Sequence, residues 1–206
     1  MWRPKAPPFK EFKKQVFKKA GKVAGFVYQI GEDLRLRQPS KNVKISTIKS
    51  VAMRRKIKYL KGCLLRYRKI TGYGRGITAV QVGIGERWSV IYTSEGLMVV
   101  INPKITRIAE KKLRYPEICM SANPMIVPTV RPAWVEFEYY DEERNLKQWR
   151  EKDDTQQGRI MNRVFLHEFD HMEGIINVDR IQNPKEIILE SDPGFYASAK
   201  FEDVEG

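Results

Sequence analysis

The stretch VFLHEFDHMEG constrains the fold of this chain more than any other, because it holds both of the chain's histidines. His167 and His171 lie four residues apart among apolar neighbours, and residues four apart share one face of an α-helix. The pattern predicts a helix from about Thr155 to Met172, with Asp154 or Thr155 as its N-cap and Gly174 just after its end. Both imidazoles would then point to the same side of that helix.

That side has the geometry of a metal site in which two imidazoles, one helical turn apart, bind the same ion. Glu168 would lie beside the ion, where a general base acts on water. Catalytic sites of this kind have three protein ligands and an open fourth position. The third ligand is either a downstream carboxylate, Glu186 or Glu190, as in a metalloprotease, or the thiolate of Cys119. The simpler alternative is a pair of half-exposed histidines on an amphipathic helix.

The two cysteines of the chain have different surroundings. Cys119 lies between Pro116 and Pro124, in a short segment bounded by turns that would present the thiol rigidly. Cys63 falls in a helical pattern and is expected to be a small buried hydrophobe. Two cysteines form one disulfide at most, so a reducing compartment suits the chain. We expect the cytoplasm, with the mitochondrion or the plastid as the alternative, and a soluble protein, because no apolar run approaches the roughly 20 residues that span a bilayer.

The remaining periodicity predicts an α+β fold with antiparallel or mixed sheets. A helix is expected from about Ser46 to Ile70, ending towards Gly72. Its predicted buried stripe consists of Ile48, Val51, Ala52, Ile57, Leu60, Leu64 and Leu65. β-branched and aromatic residues predict three strands, WSVIYT at 88–93, LMVVIN at 97–102 and WVEFEYY at 134–140. Short connections favour antiparallel pairing, and strands followed by a late helix are typical of the α+β class.

Positive charge is concentrated in the first third of the chain. Residues 1–70 contain 21 Lys and Arg against 3 Asp and Glu, a net +18, and the remainder has 17 against 22, a net −5, which together give +13. Apolar positions at helical spacing among lysines predict a basic amphipathic helix from Phe9 to Ala24. We therefore divide the chain into a basic extension, residues 1–27, and one domain, residues 28–206. The charge favours a polyanionic partner, nucleic acid or an anionic membrane surface; the alternative is a solvated lysine-rich face.

Three short motifs follow one another along the chain: GRGITAVQ at 74–81, EICMS at 117–121 and HEFDH at 167–171. In this order they resemble the motifs GxGΦAAxQ, EGCΦS and HEΦDH of the peptide deformylase family, where Φ is apolar. The resemblance extends from about Gln29 to Ile181. It implies sheets packed around a central C-terminal metal-binding helix. It also implies a metal-dependent hydrolase that removes the formyl group from the N-terminal N-formylmethionine of newly synthesised polypeptides.

The resemblance also implies roles for individual residues. The implied metal ligands are Cys119, His167 and His171. The implied cofactor is one divalent ion, expected to be Fe²⁺ in the cell, with Zn²⁺, Ni²⁺ and Co²⁺ as alternatives. Glu168 would take a proton from the attacking water and later pass it to the departing amine. The side-chain amide of Gln81 and the backbone N–H of Met120 would donate hydrogen bonds to the oxygen of the tetrahedral intermediate. Residues expected to contact the substrate are Gly74, Gly76, Ile77 and Ile118.

Two residues depart from the family motifs. Thr78 stands where the family has alanine, and its hydroxyl needs a hydrogen-bond partner. Ile118 stands where the family has glycine, so its side chain must narrow the cleft or shift the backbone. The alternative function is therefore a deformylase-like protein with altered substrate or lost activity that acts as a binding module for the ribosome or RNA. In either case the basic front third is expected to attach the protein to ribosomal RNA, close to N-formylmethionyl nascent peptides.

Overall fold

The computed structural model describes residues 9–150, 155–190 and 199–204. Within these ranges the chain forms an α+β fold in which all paired strands run antiparallel, as predicted. The α-helices are α1 (Phe9–Ala24), α2 (Val51–Thr71) and α3 (Gln156–Met172). The strands are β1 (Gly76–Thr78), β2 (Trp88–Thr93), β3 (Gly96–Ile108), β4 (Lys112–Ile118), β5 (Met125–Pro132), β6 (Val135–Tyr140), β7 (Leu146–Trp149), β8 (Ile188–Leu189) and β9 (Glu202–Val204).

The strands form two sheets, one in the order β1-β2-β3-β6-β7 and the other in the order β8-β5-β4-β9. Side chains alternate across the first sheet. Val90 and Val99 face α2, whereas Ile91 and Phe137 face α3. Helix α3 also contacts β5, so it lies between the two sheets. Each face of this helix is therefore held by a different part of the fold.

Helix α2 begins later than the sequence predicted. Residues Ile45–Thr47 form a separate 3₁₀ turn, and the α-helix begins after Ser50, whose hydroxyl accepts a hydrogen bond from the backbone N–H of Met53. Its end at Gly72, in the left-handed conformation with φ 86°, is the predicted one. The buried stripe also differs from the predicted one. Val51, Ala52 and Leu65 are exposed, which corrects the prediction, and the buried positions are Met53, Ile57, Leu60, Cys63, Leu64, Tyr67 and Thr71.

Helix α1 packs against α2. Val16 and Val23 are buried, and Val23 belongs to the same core cluster as Val27 and the α2 stripe. On the opposite side, lysines spaced four residues apart, Lys14, Lys18 and Lys22, are exposed. Residues 1–8 of the predicted extension lie outside the described residues. The described part of the extension is therefore a helix with a buried apolar face and an exposed basic face.

The predicted strands are confirmed, and the sequence missed several others. Trp88–Thr93 has the predicted bounds, whereas the second predicted strand continues to Ile108. The segment around Cys119 was expected to be bounded by turns, but strand β4 includes Pro116 and pairs it with Pro128 of β5. Two prolines in facing strands contradict the usual strand pattern, which is why periodicity failed here.

Two short strands, β8 and β9, lie in the last part of the chain that the structure describes. Strand β9 pairs with β4. Strand β8 pairs with β5 and is preceded by a 3₁₀ turn at Pro184–Glu186. No helix in the described part of the chain combines the length and the apolar character that a bilayer crossing needs.

Candidate metal centre

The two parts of the centre come from the end of β4 and from the last turns of α3. Cys119 follows β4 and caps the 3₁₀ turn Met120–Ala122. Its sulfur lies 3.2 Å from Nε2 of His171. Candidate ligand atoms of Cys119, His167 and His171 lie within 4.8 Å of one another. Cys119 and His171 are fully buried. The fold thus brings together a thiol and two imidazoles that are far apart in the sequence.

A buried carboxylate orients the first imidazole. The Nδ1 atom of His167 lies 2.9 Å from Oε2 of Glu117. An ionised carboxylate only accepts hydrogen bonds, so Nδ1 carries a hydrogen, and Nε2 is the ring nitrogen left to bind a metal. Burial opposes the charged form of Glu117, but Arg131 and Arg163 outweigh it, and the pKa of Glu117 lies well below its usual range.

The buried ligand atoms of this cluster suit a divalent transition metal. Burial holds the pKa of His171 well below its usual value, and a metal needs this neutral form. Nδ1 of His171 is buried without a hydrogen-bond partner among the described residues. One sulfur and two imidazole nitrogens in such a small volume suit zinc or ferrous iron.

Glu168 lies beside the cluster and is held from β1. The hydroxyl of Thr78 donates a hydrogen bond of 2.6 Å to Oε2 of Glu168, which supplies the partner that this hydroxyl needs. Gly76 lies so close to the Glu168 carboxylate that a Cβ atom at Gly76 would overlap it. Burial raises the pKa of Glu168, and the hydrogen bond from Thr78 is among the opposing influences. The carboxylate is therefore confined between a backbone and a hydroxyl.

Gln81 is buried on the other side of the thiol. Its Oε1 atom accepts a hydrogen bond of 2.8 Å from the backbone N–H of Thr78. This bond fixes the amide so that Nε2 faces Ser121 Oγ at 3.1 Å and the Cys119 sulfur at 3.9 Å. Met120 begins the adjacent 3₁₀ turn, and the first N–H groups of a helical turn have no partner within it. Two neutral donors thus lie next to the cluster.

An open cleft of about 1060 Å³, mouth included, leads to these residues. Its lining includes Gly74, Gly76, Gln81, Ile118, Met120, His167 and Glu168. Gly74 has φ +108°, and a Cβ atom there would lie 2.6 Å from the Tyr67 ring. Ile118 ends β4 in the extended register opposite Ile126. Its side chain lines the cleft at the place where the family motif has glycine. Ile77 is fully buried in the core and does not line the cleft.

The carboxylates of the metalloprotease alternative lie elsewhere. Glu186 pairs with Arg114 at 2.9 Å, and Glu190 accepts a hydrogen bond of 2.6 Å from the Tyr73 hydroxyl. Within the described ranges, the ligand cluster contains neither of them. This geometry favours the thiol as the third ligand.

Sequence reasoning missed a buried charge network behind the centre. Arg131, 4% exposed, forms a bidentate pair with Glu117 at 2.6 and 3.0 Å and bonds Asp170 at 2.7 Å. Asp170 also pairs with Arg180 at 2.6 Å. Glu117 and Asp170 stand inside the EICMS and HEFDH motifs, which was the only available signal. Arg131 lies outside any motif.

Comparison with known proteins gave consistent matches. A family model described as polypeptide deformylase matches residues 26–186. A peptide deformylase of Picosynechococcus is 32% identical over 123 residues, 57% of this chain and 62% of the relative. One from Caldanaerobacter subterraneus is 36% identical over 108 residues, 52% of this chain and 64% of the relative. The chain thus spans just under two thirds of the length of these curated relatives.

Solved structures agree in fold. The crystal structure of a peptide deformylase from Synechococcus elongatus in complex with actinonin is 31% identical, with a TM-score of 0.65, and the match covers 78% of this chain and 80% of that one. The peptide deformylase from Thermotoga maritima is 28% identical, also with a TM-score of 0.65, over 76% of this chain and 97% of that one.

Proposed function

The chain belongs to the polypeptide deformylase family, and from this premise we propose that it removes the formyl group from the N-terminal N-formylmethionine of newly synthesised polypeptides. One observation carries the proposal. A thiol and two imidazoles, from segments 52 residues apart, meet within 4.8 Å beside a buried carboxylate at the base of an open cleft. Hydrolysis of an amide bond at such a site needs a nucleophile, a proton carrier and donors for the developing oxyanion.

We assign Cys119, His167 and His171 as the metal ligands. When bound, the divalent ion supplies a Lewis acid that lowers the pKa of the attacking water and polarises the formyl carbonyl. Glu117 contributes by holding Nε2 of His167 free for the ion. Fe²⁺ is the proposed ion in the cell, and Zn²⁺ is an alternative. A thiolate with two imidazoles suits both metals.

Glu168 carries the protons. Its carboxylate accepts a proton from the attacking water and gives it to the nitrogen of the departing amine. Oε2 is engaged with the Thr78 hydroxyl, so Oε1 is the oxygen that exchanges protons. Thr78 thereby selects one carboxylate oxygen for the reaction and keeps the side chain from rotating away.

Gln81 and Met120 stabilise the negative charge that develops on the formyl oxygen. The Gln81 amide is fixed through its own oxygen, which directs its N–H₂ group towards Ser121 Oγ and the Cys119 sulfur at the edge of the cluster. Met120 donates from its backbone N–H. Removing one such donor commonly costs about 3 to 4 kcal/mol of transition-state stabilisation. Tyr67, Ile118 and Ile160 make the cleft wall apolar, which suits a methionine side chain.

Formate release from formyl-Met-Ala-Ser, measured without oxygen on protein loaded with iron, nickel or cobalt, tests the proposal. Oxygen is excluded because a thiolate site is open to oxidation. We expect turnover by the wild type. Cys119→Ala should lose both metal and activity, whereas Cys63→Ala, at the buried cysteine of α2, should keep both. No formate from metal-loaded wild type would favour the alternative of a binding module, and metal retained by Cys119→Ala would favour a protease-like ligand set.

We further propose that the basic extension, residues 1–27, attaches the catalytic domain, residues 28–206, to ribosomal RNA. The outer face of α2 supports this surface, since Arg54, Arg55, Lys58, Arg66 and Lys69 project from it. Helix α2 contains no acidic residue, so no carboxylate on it neutralises this face. Free thiols at both cysteines suit the reducing cytoplasm in which nascent chains emerge.

Co-sedimentation with ribosomes at increasing salt tests this attachment. Binding through phosphate contacts should weaken steeply between about 50 and 200 mM salt. Deleting residues 1–27 would also remove the core residues Val23 and Val27. Charge reversal at exposed lysines changes the charge and leaves the core intact. The triple variant Lys14→Glu, Lys18→Glu and Lys22→Glu should lose binding. A matched triple variant at the exposed Lys104, Lys147 and Lys185 should keep it; equal binding by both variants would contradict the proposal.

A further inference from the structure

Arg75 places a positive charge on the wall of the cleft. It lies between Gly74 and Gly76, is half-buried and lines the cleft. Its guanidinium contacts the side-chain oxygen of Gln157 at 3.1 Å and the sulfur of Met161 at 3.4 Å. Both partners are neutral. Within the described part of the chain, no carboxylate lies at ion-pairing distance from Arg75.

The surroundings of Arg75 add to its need for an anion. Burial and the neighbouring Arg68 lower the pKa of Arg75, although an arginine stays charged at neutral pH. Two carboxylates line the cleft, and both are engaged: Glu117 with Arg131 and Glu168 with Thr78. A half-buried charge whose contacts among the described residues are neutral is unfavourable. An anionic group of a ligand would remove this cost and gain a charge-assisted hydrogen bond.

The position of Arg75 along α3 indicates which part of a peptide would meet it. Its contacts Met161 and Gln157 precede His167 by six and ten residues, or roughly 9 and 15 Å at 1.5 Å per residue. An extended peptide advances about 3.3 Å per residue. With the formyl group at the ligand cluster, a peptide that runs along α3 towards the N-terminus of the helix would place its third or fourth residue level with the Arg75 guanidinium.

We infer that Arg75 is a specificity-determining residue that binds a carboxylate on the third or fourth residue of the formylated peptide. The inference rests on the proposed function and deepens it, because it names acidic nascent chains as the preferred substrates. Arg75 does not touch the reacting atoms. Its effect is on how firmly, and in which register, the peptide lies in the cleft.

Two pairs of C-terminally amidated peptides test the inference on the metal-loaded enzyme. The pairs are formyl-Met-Ala-Glu-Ser against formyl-Met-Ala-Gln-Ser, and formyl-Met-Ala-Ser-Glu against formyl-Met-Ala-Ser-Gln. In at least one pair, kcat/KM for the Glu peptide should be about tenfold higher, mainly through a lower KM. Arg75→Gln should bring that ratio to one, and Arg75→Lys should restore part of it. The control Lys104→Gln, at an exposed lysine of β3, should keep both the rate and the ratio.

The outcomes separate the inference from the proposed function. If the wild type releases no formate from any peptide, the proposed function fails. If it hydrolyses Glu and Gln peptides equally well, the inference alone fails, whether or not the Arg75 variants fold. A further arm compares formyl-Met-Ala-Gln as free acid and as amide. A preference for the free acid without a preference for Glu would assign Arg75 to a terminal carboxylate and overturn the side-chain assignment.

Discussion

Replacing Arg131 by methionine tests whether the charge network behind the centre stabilises the fold. Methionine keeps much of the side-chain length and removes the charge. Arg131 is 4% exposed and bonds both Glu117 and Asp170. Removing one partner of a buried ion pair costs about 3 to 5 kcal/mol, because the remaining charge is left buried without compensation.

The expected cost lies at the lower end of this range. Glu117 keeps Arg163 at 3.3 Å and the imidazole of His167, and Asp170 keeps Arg180. We therefore expect Arg131→Met to lose about 3 kcal/mol of unfolding free energy, or roughly 6 to 12 °C in Tm for a chain of this size. The matched control is Arg114→Met, whose partners Glu202 and Glu186 are 62% and 40% exposed. Exposed pairs contribute up to about 1 kcal/mol.

Urea unfolding of the metal-free proteins, monitored by tryptophan fluorescence and circular dichroism, measures the loss of unfolding free energy in both variants. The pH dependence adds a second check. The pKa of Glu117 is lowered in the folded state, so the stabilisation is present above the unfolded value of about 4.3 and is lost as the pH falls through the lowered pKa. The difference in unfolding free energy between wild type and Arg131→Met should therefore become smaller in acid. The reasoning would be refuted if Arg131→Met lost no more unfolding free energy than Arg114→Met. It would also be refuted if the difference in unfolding free energy between wild type and Arg131→Met became larger in acid.

Three further predictions concern the cleft and the extension. Gly76→Ala places a Cβ atom against the Glu168 carboxylate, so kcat for formate release should fall at least about 100-fold with unchanged metal content; near-normal turnover would contradict the confinement of Glu168. Ile118→Gly widens the cleft, so kcat/KM should rise for peptides with a bulky second residue relative to alanine, and an unchanged ratio would exclude Ile118 as the steric limit. Val23→Ala should cost about 2 kcal/mol in urea unfolding because Val23 is fully buried, whereas Val51→Ala, 66% exposed, should cost almost nothing; equal costs would mean that α1 does not pack on the domain.

The sequence predicted elements whose signal is local. Helix α3 has a capping threonine, a clear apolar period and a glycine after its end, and its bounds matched within one residue. Strand β2 is a short run of aromatic and β-branched residues and matched fully. In each case the segment itself contains the physical reason for its structure, so its neighbours in space add little to the prediction.

Elements that depend on distant partners were missed. Strands β4 and β5 contain prolines opposite each other, and it is their pairing with each other along Lys112–Ile118 that makes them strands. Strand β9 comes from an acidic tail that pairs with β4 across about 90 residues of chain. Strand pairing of this kind depends on contacts far apart in sequence, which a pattern read along the chain does not contain.

The same distinction applies within the centre. The motifs predicted which residue types are present, and the helical spacing predicted that the two imidazoles share a face. The spacing left the third ligand open between a thiol and a carboxylate, and the meeting of Cys119 with His171 depends on how β4 lies against α3. The hydroxyl of Thr78 appeared in the sequence only as a group in need of a partner. Its partner, Glu168, is 90 residues away, so a small departure from the family motif acts directly on the carboxylate that we propose as the proton carrier.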